Sequence, residues 1–316
     1  MTESEKLKPG AIVADRFRLE QRLGQGGMGS VWRAQHLGLD IACAVKFLRR
    51  EAADSPDLRG RFEREAKAAA RLKSPHVVQI LDHGVWDGVP YIAMEYLEGE
   101  DLNQRLKRVR RLDARETVRI AAQVARALAK AHAAGLVHRD LKPSNIFLTR
   151  DEEHEVAKVL DFGVAKRSVT SESAAEQETK SGSILGTPHY MSPEQAQGTK
   201  VVDHRSDLWS LAVVVYQCLT GQLPYRSDAL GDLLVQIIVS APPVPSHVAA
   251  LPASFDAWWA RAVAREPAQR FQSARELVTA LAASLAVAPE LPVDGAETAS
   301  FNIPPSLAPR TLDPRG

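Results

Sequence analysis

The sequence predicts an α+β fold in two lobes, a small β-rich lobe followed by a larger helical one. Three observations lead there. Apolar residues in the first third alternate with period two or run in short β-branched stretches. Beyond about residue 100, Ala-rich segments with helical periodicity take over. The length, 316 residues, suits about two domains or two lobes of one unit.

Each element follows from local pattern. Phe17, Leu19 and Leu23 sit at even spacing, as a half-buried strand requires. Glycines cluster at 24–29, after which Val31, Trp32 and Ala34 open a second strand. Residues 41–48 form an apolar strand interrupted only by Lys46. Residues 59–72 are rich in Ala, Arg and Glu and predict a helix. Two more strands are predicted at 76–81 and 89–94, separated by a turn at 82–88. Residues 95–99 then connect the lobes. A long helix over 117–134 ends at Gly135, a good C-cap. Further helices are predicted at 206–219, 229–240, 255–264 and 274–285. The division that follows is an N-terminal extension (1–16), a small lobe (17–94), a hinge (95–99), a large lobe (100–285) and a Pro-rich tail or linker (286–316). Six prolines among residues 289–316 leave little periodicity there and predict disorder. Seven Ser or Thr residues within 168–183 predict a mobile or conditionally ordered segment.

Composition narrows the function. Forty basic residues against 39 acidic ones give a net charge of +1, without the basic excess of a dedicated nucleic-acid binder. Two cysteines, Cys43 and Cys218, cannot build a disulfide framework and point to a reduced, intracellular setting. Residues 1–14 lack the apolar stretch of a signal peptide. The longest apolar runs, 208–219 and 277–287, fall short of the roughly 18–20 residues that span a bilayer.

Gly24-Gln25-Gly26-Gly27-Met28-Gly29 fits G-x-G-x-x-G. A dinucleotide site needs a helix directly after such glycines. Here a strand follows, so the loop is a hairpin turn. It is either a merely flexible turn or a lid whose N–H groups approach phosphate oxygens. Other motifs sharpen the choice. His138-Arg139-Asp140-Leu141-Lys142-Pro143-Ser144-Asn145 follows the long helix. Asp161-Phe162-Gly163 ends an apolar stretch at 156–160. Cys43-Ala44-Val45-Lys46 places one lysine in an apolar strand, and Ser192-Pro193-Glu194 comes later. Together, in this order, these motifs resemble the eukaryotic-like bacterial serine/threonine protein kinases over about residues 17–285.

The resemblance implies a bilobal protein kinase fold and transfer of the ATP γ-phosphate to Ser or Thr hydroxyls of proteins, as a non-specific serine/threonine protein kinase. The implied cofactors are ATP and Mg²⁺, with Mn²⁺ as an alternative ion. Asp140 is the implied acceptor of the hydroxyl proton, Lys142 the neutraliser of phosphoryl charge, and Asn145 and Asp161 the metal ligands. Thr187 would bridge Asp140 and Lys142. Lys46 would hold the α- and β-phosphates and pair with a helix glutamate. A buried ammonium does need an anion. At about 100° per residue, Glu65 falls within the arc of Phe62, Ala66, Ala69 and Leu72, whereas Glu63 falls outside it and suits a surface pair with Lys67. Glu65 is therefore chosen.

The same resemblance implies a nucleotide pocket. Gly24, Gly26, Gly27 and Gly29 would lie over the phosphates, Leu23, Val31 and Ala44 would form the roof, and Phe147 the floor. Met94 would be the gatekeeper, Glu95 and Leu97 would present backbone groups to the base, and Asp101 would reach the ribose. Structural contacts are implied for Glu194 with Arg270, and for Asp207 with the backbone near His138 and Arg139. Arg139 would also meet a phosphate on the activation segment. Thr179, Ser181 and Ser183 are the candidate phosphosites, with Thr170 behind them.

The implied partners are protein substrates and the chain itself, through autophosphorylation, with a dimer as one way to achieve this in trans. No nucleic acid and no membrane segment are implied. The expected location is cytoplasmic, free or as the cytosolic part of an anchored kinase. A pseudokinase scaffold is the rival reading, opposed by the intact Lys46, Glu65, Asp140, Asn145 and Asp161. A small-molecule kinase is opposed by the segment 186–194. Ser192 and Cys43 stand where the family commonly has Ala and Val.

Overall fold

The period-two segments of the first third close into one antiparallel sheet. The computed structural model describes residues 6–26, 29–48, 56–151, 154–162, 188–199 and 201–288. The strands are β1 (Ile12–Val13), β2 (Phe17–Gly26), β3 (Gly29–His36), β4 (Ile41–Leu48), β5 (Ile80–Trp86) and β6 (Val89–Glu95), in the order β1-β2-β3-β4-β6-β5. Side chains alternate between two faces of a strand. Phe17, Leu19, Trp32, Ala34, Cys43, Val45, Phe47, Tyr91 and Ala93 therefore share one buried face. The other face offers Leu48 and Ile92 to Phe62 and Ala66 of helix α1 (Pro56–Ala70). Irregularities in β2, at Leu19/Gln21 and Arg22/Gly24, break the alternation, and Leu23 ends up exposed.

Helix ends shift by up to three residues from the sequence reading, and the larger differences lie in the small lobe. The fifth strand is Ile80–Trp86 rather than 76–81, and the turn shrinks to Asp87 and Gly88, both at positive φ. Val77 and Val78 are apolar because the large lobe buries them. Val77 bridges Val159, and the His76 ring nitrogen Nδ1 meets the Ala157 carbonyl at 3.1 Å. Burial lowers the pKa of that His76 ring. The small lobe also begins before Phe17. β1 pairs with β2, Leu7 and Val13 are buried, and Lys6 pairs with Asp87.

Beyond the connector come β7 (Gly99–Asp101), α2 (Leu102–Val109), α3 (Ala114–Ala133), β8 (Ile146–Asp151) and β9 (His154–Val159). The strands form a second sheet, β7-β8-β9, which the sequence reading did not separate from its surroundings. Asp101 starts α2 with a capping box to Gln104, and Asp113 caps α3 through the Glu116 N–H. Then follow α4 (Pro193–Ala196), α5 (Arg205–Thr220), α6 (Leu230–Val239), α7 (Ala253–Ala262) and α8 (Ala274–Ser284). α5 is buried almost all round and forms the centre of the large core. Both cysteines are free and buried. Burial, with a smaller push from Glu20, raises the Cys43 thiol to about 12, so it is an unreactive core residue. Among the described residues no helix is long and apolar enough to cross a membrane.

Gly99 is required by its surroundings. Its φ is +145°, and an added Cβ would lie 2.0 Å from the Leu148 carbonyl oxygen. Gly60, inside α1, would meet nothing within 4 Å. Gly99→Ala is expected to lower stability by about 2–3 kcal/mol, and Gly60→Ala to raise it by about 0.5–1 kcal/mol. Chemical denaturation measures both. A Gly99→Ala protein as stable as the parent would refute the close approach.

Candidate active site

The turn after α3 carries most of the polar groups, and its backbone is held from below. Asp207, in the first turn of α5, is fully buried. Its Oδ2 accepts the His138 N–H and its Oδ1 the Arg139 N–H, each at 2.8 Å. His132 Nε2 adds a contact to Oδ2 at 2.8 Å. Arg139 can then sit at φ +64°, a left-handed conformation uncommon for a side chain of its size. Gln195 Nε2 donates to the Arg139 carbonyl at 2.8 Å.

His138 joins this turn to the segment bearing Asp161. Its Nδ1 accepts the Asp140 N–H (3.2 Å), so the ring is neutral and Nε2 carries the proton donated to the Leu160 carbonyl (2.8 Å). The ring also packs edge-on against Phe162, with centroids 5.0 Å apart. Neither contact was visible in the sequence, where His138 is only one letter of a motif.

Asp140 gathers its neighbours. Lys142 Nζ lies 3.0 Å from its Oδ2, and Asn145 Nδ2 donates to its backbone carbonyl at 2.8 Å. The Asn145 amide nitrogen is thus committed, which leaves Oδ1 to face a cation. Leu160 donates its N–H to the Asn145 carbonyl at 2.9 Å, which brings Asp161 beside Asn145. Asp161 is itself at φ +53°, and its Oδ2 lies 2.7 Å from Lys46 Nζ on β4. Hard oxygen donors on Asp161 and Asn145 fit Mg²⁺, which takes few protein ligands and shares the rest with phosphate and water. The helix glutamate is placed only in part: Glu65 lies on α1 between buried Phe62 and Ala66, and its side chain lies outside the described residues.

The glycine hairpin pairs Gly24 with Val31 and Gly26 with Gly29. At Gly24 and Gly26 an added Cβ would meet no protein atom within 4 Å, and neither residue has a positive φ. The protein's own packing therefore does not demand glycine there, whereas close approach of a phosphate to the backbone would. Gly29 differs: its φ is +147°, and a Cβ would lie 1.8 Å from the Phe47 carbonyl oxygen. Val31 stands opposite Lys46, and Ala44 opposite Met94. Leu23 is 46% exposed, open to cover by a ligand. Leu97 is half-buried in the connector, and Phe147 stands opposite Asp101 with its ring against Gly99. Asp101 Oδ1 is occupied, accepting the Gln104 N–H at 2.8 Å. Glu95 is more engaged than its sequence position suggests. Its carboxylate accepts the Gln79 N–H and pairs with Lys158 on β9 at 2.8 Å. Gly27, Thr170, Thr179, Ser181, Ser183 and Thr187 lie outside the described residues.

A second buried ion pair anchors the segment after the cleft. Arg270 holds Glu194 with two bonds, at 2.9 and 2.8 Å, and Ser206 Oγ donates to the same carboxylate. The Arg270 guanidinium also donates to the carbonyls of Ala264, Arg205 and Arg265 and lies over the Trp209 ring. Burial pushes the Glu194 carboxyl up, but the Arg270 and Ser206 bonds outweigh it and hold the group below the ordinary range.

Comparison with known proteins gives the family. The protein kinase domain family model matches residues 17–272, and the chain belongs to that family. It is 42% identical over 270 residues to the serine/threonine-protein kinase pkn3 of Myxococcus xanthus, covering 84% of this chain and 49% of that protein. It is 40% identical to PknH of Mycobacterium bovis, covering 89% of this chain and 46% of the relative. The chain thus spans about half the length of the curated relatives it matches. A crystal structure of the Mycobacterium tuberculosis PknI kinase domain superposes with a TM-score of 0.72 at 32% identity, covering 89% of this chain and all of that one.

Glu194 stabilises the fold only while ionised. Because its folded pKa is depressed, its contribution is complete above the ordinary glutamate pKa of about 4.3 and is lost as pH falls through the lower folded value. Glu194→Gln is expected to cost about 3–5 kcal/mol near neutral pH. The gap to the parent should narrow as the solution is acidified below about pH 4. Denaturation curves across pH 3–7 test this, and a gap of constant size would rule out the ionised pair as its source.

Proposed function

We propose that this chain is an active serine/threonine protein kinase domain that uses ATP with Mg²⁺, or Mn²⁺ in its place. The observation that carries the reading is the convergence of Asp140, Lys142, Asn145 and Asp161 with Lys46, which reaches them from the small lobe. Bound Mg-ATP supplies the γ-phosphoryl group and the cation that offsets its charge. Asp140 orients a substrate hydroxyl and receives its proton. Lys142, 3.0 Å from Asp140, neutralises charge as the phosphoryl group moves. Asn145 and Asp161 would hold the metal through oxygen. Lys46 would turn from Asp161 to the α- and β-phosphates, with Glu65 as its partner on α1. Phosphates and metal would then compete for opposite ends of one ion pair, which couples their binding.

The glycine hairpin, with Gly24, Gly26, Gly27 and Gly29, would cover the phosphates. Leu23, Val31, Ala44, Met94 and Phe147 would enclose the base, and backbone groups of Glu95 and Leu97 would bind its edge. Asp101 would reach the ribose with its second oxygen. Thr187 would bridge Asp140 and Lys142. Arg139 would receive a phosphate placed by autophosphorylation at Thr179, Ser181 or Ser183, which a dimer would allow in trans. Protein substrates and a cytoplasmic setting, free or as part of an anchored protein, complete the proposal.

Transfer of labelled γ-phosphate to the chain and to a generic basic protein tests it. Lys46→Met and Asp161→Asn should abolish labelling, and Asp140→Asn should slow it about 10²–10⁴-fold. Equal labelling by all variants would overturn the assignment. Phosphopeptide mapping should place phosphate between Asp161 and Glu194; a map empty across that interval would remove the regulatory part alone.

A further inference from the structure

Arg105, in the first turns of α2, reaches three separate elements with one guanidinium. Its Nε donates to Glu100 of β7 (2.5 Å), its Nη1 to Glu116 of α3 (2.7 Å) and its Nη2 to Glu155 of β9 (2.6 Å). The side chain is 17% exposed, so these bonds are partly shielded from water. Glu155 receives a second arginine, Arg119 of α3, at 2.7 Å. Gln123 donates to the Glu155 carbonyl and accepts the Ala157 N–H. The paired charges hold Glu100 and Glu155 below the ordinary carboxylate range, through the Arg105 and Arg108 bonds at Glu100 and against burial at Glu155.

The placement gives these bonds a consequence. β7 and β9 are the two outer strands of a three-stranded sheet, and β8 lies between them. β8 carries Phe147, whose neighbours across the sheet are Asp101 on one side and Lys158 on the other. β7 starts directly after the connector, and β9 leads into Leu160 and Asp161. A planar fork with five donors can hold several carboxylates in fixed relative positions, which a lysine ammonium cannot reproduce. We propose that Arg105 is a positioning residue for nucleotide binding: by clamping both outer strands to α2 and α3, it sets the position of Phe147 and of the connector. This rests on the nucleotide-site reading given above and adds a residue that touches neither nucleotide nor substrate.

The test compares Arg105→Ala, Arg105→Lys and Glu155→Gln with the parent and with Arg261→Ala. That last change breaks an exposed pair with Glu276 between α7 and α8. Binding of a Mg-bound, non-hydrolysable ATP analogue is measured by calorimetry, with KM for ATP, kcat and Tm alongside. Arg105→Ala is expected to weaken analogue binding and raise KM by roughly 10-fold, within the range that coupled networks give. kcat should change less than KM, because Asp207 fixes the His138 and Arg139 amides just before Asp140 without any bond to Arg105 or its glutamates. Arg105→Lys should fall between, and Arg261→Ala should match the parent. If Arg105→Ala does not fold, Glu155→Gln supplies the comparison. A lowered Tm with unchanged analogue affinity and KM would make Arg105 purely structural and overturn the proposal, as would a fall in kcat alone. A parent protein that binds the analogue but transfers no phosphate would sink the kinase reading and leave the Arg105 comparison intact. A parent that binds no analogue would sink both.

Discussion

One buried carboxylate, that of Asp207, fixes the geometry from which the rest of the site is built. An ionised group this deep is costly unless donors surround it. The sequence supplies three, the His138 and Arg139 amides and the His132 ring. In return, the backbone before Asp140 is held in a conformation that an unconstrained chain would leave. A left-handed residue costs of order 1–3 kcal/mol, and charge-assisted bonds of about 1.5–3 kcal/mol each are of the right size to offset it. α5 can carry this charge because it is buried on nearly every side and cannot shift to relieve strain.

The near-zero net charge conceals how the ions are distributed. Buried or half-buried pairs stand at joints: Glu194 with Arg270 where α4 meets the helical core, Glu95 with Lys158 where the connector meets β9, and Lys46 with Asp161 across the cleft. They differ in exposure and hence in function. The Arg270 side chain is fully buried, satisfied by carbonyls as well as by Glu194, and is a permanent strut. The Asp161 side chain is 36% exposed, so an anion can compete for Lys46, and a cation for Asp161, at little cost. The permanent ion pair lies in the core, and the more exposed one joins β4 to the segment that follows β9.

Much of this was legible in the sequence because it depends on local pattern. β4 spans residues 41–48 as read, and the glycine cluster does form a hairpin with β3 rather than a strand-to-helix turn. The readings that failed were those in which a distant partner overrides local preference. Val77 and Val78 look like a strand but are captured by Val159 of the other lobe. Asp82, His83 and Gly84 look like a turn but lie in an edge strand, where polar residues are tolerated. α2 does space Leu102, Leu106 and Val109 as a helix requires, but over only eight residues, and β7 has only three, so both are too short to stand out among their neighbours. The Lys158–Glu95 pair and the Arg105 fork link positions 63 and 50 apart in the chain, and nothing in either neighbourhood points to the other.

The same distinction explains how two halves of the site stay in register although they come from separate segments. Arg139 and Asp161 are both left-handed, on either side of the cleft floor. A single neutral imidazole joins them: His138 accepts from the Asp140 amide and donates to the Leu160 carbonyl, and its ring lies against Phe162. Each bond requires a different ring nitrogen, so only one tautomer satisfies both. Any movement of the Asp161 segment must therefore break the Leu160 bond or drag His138 with it, and through His138 the Asp140 amide. The Asp140 and Asp161 segments thus respond to one another through bonds to the backbone. That coupling lies in a histidine which sequence alone presents as a spacer before Asp140.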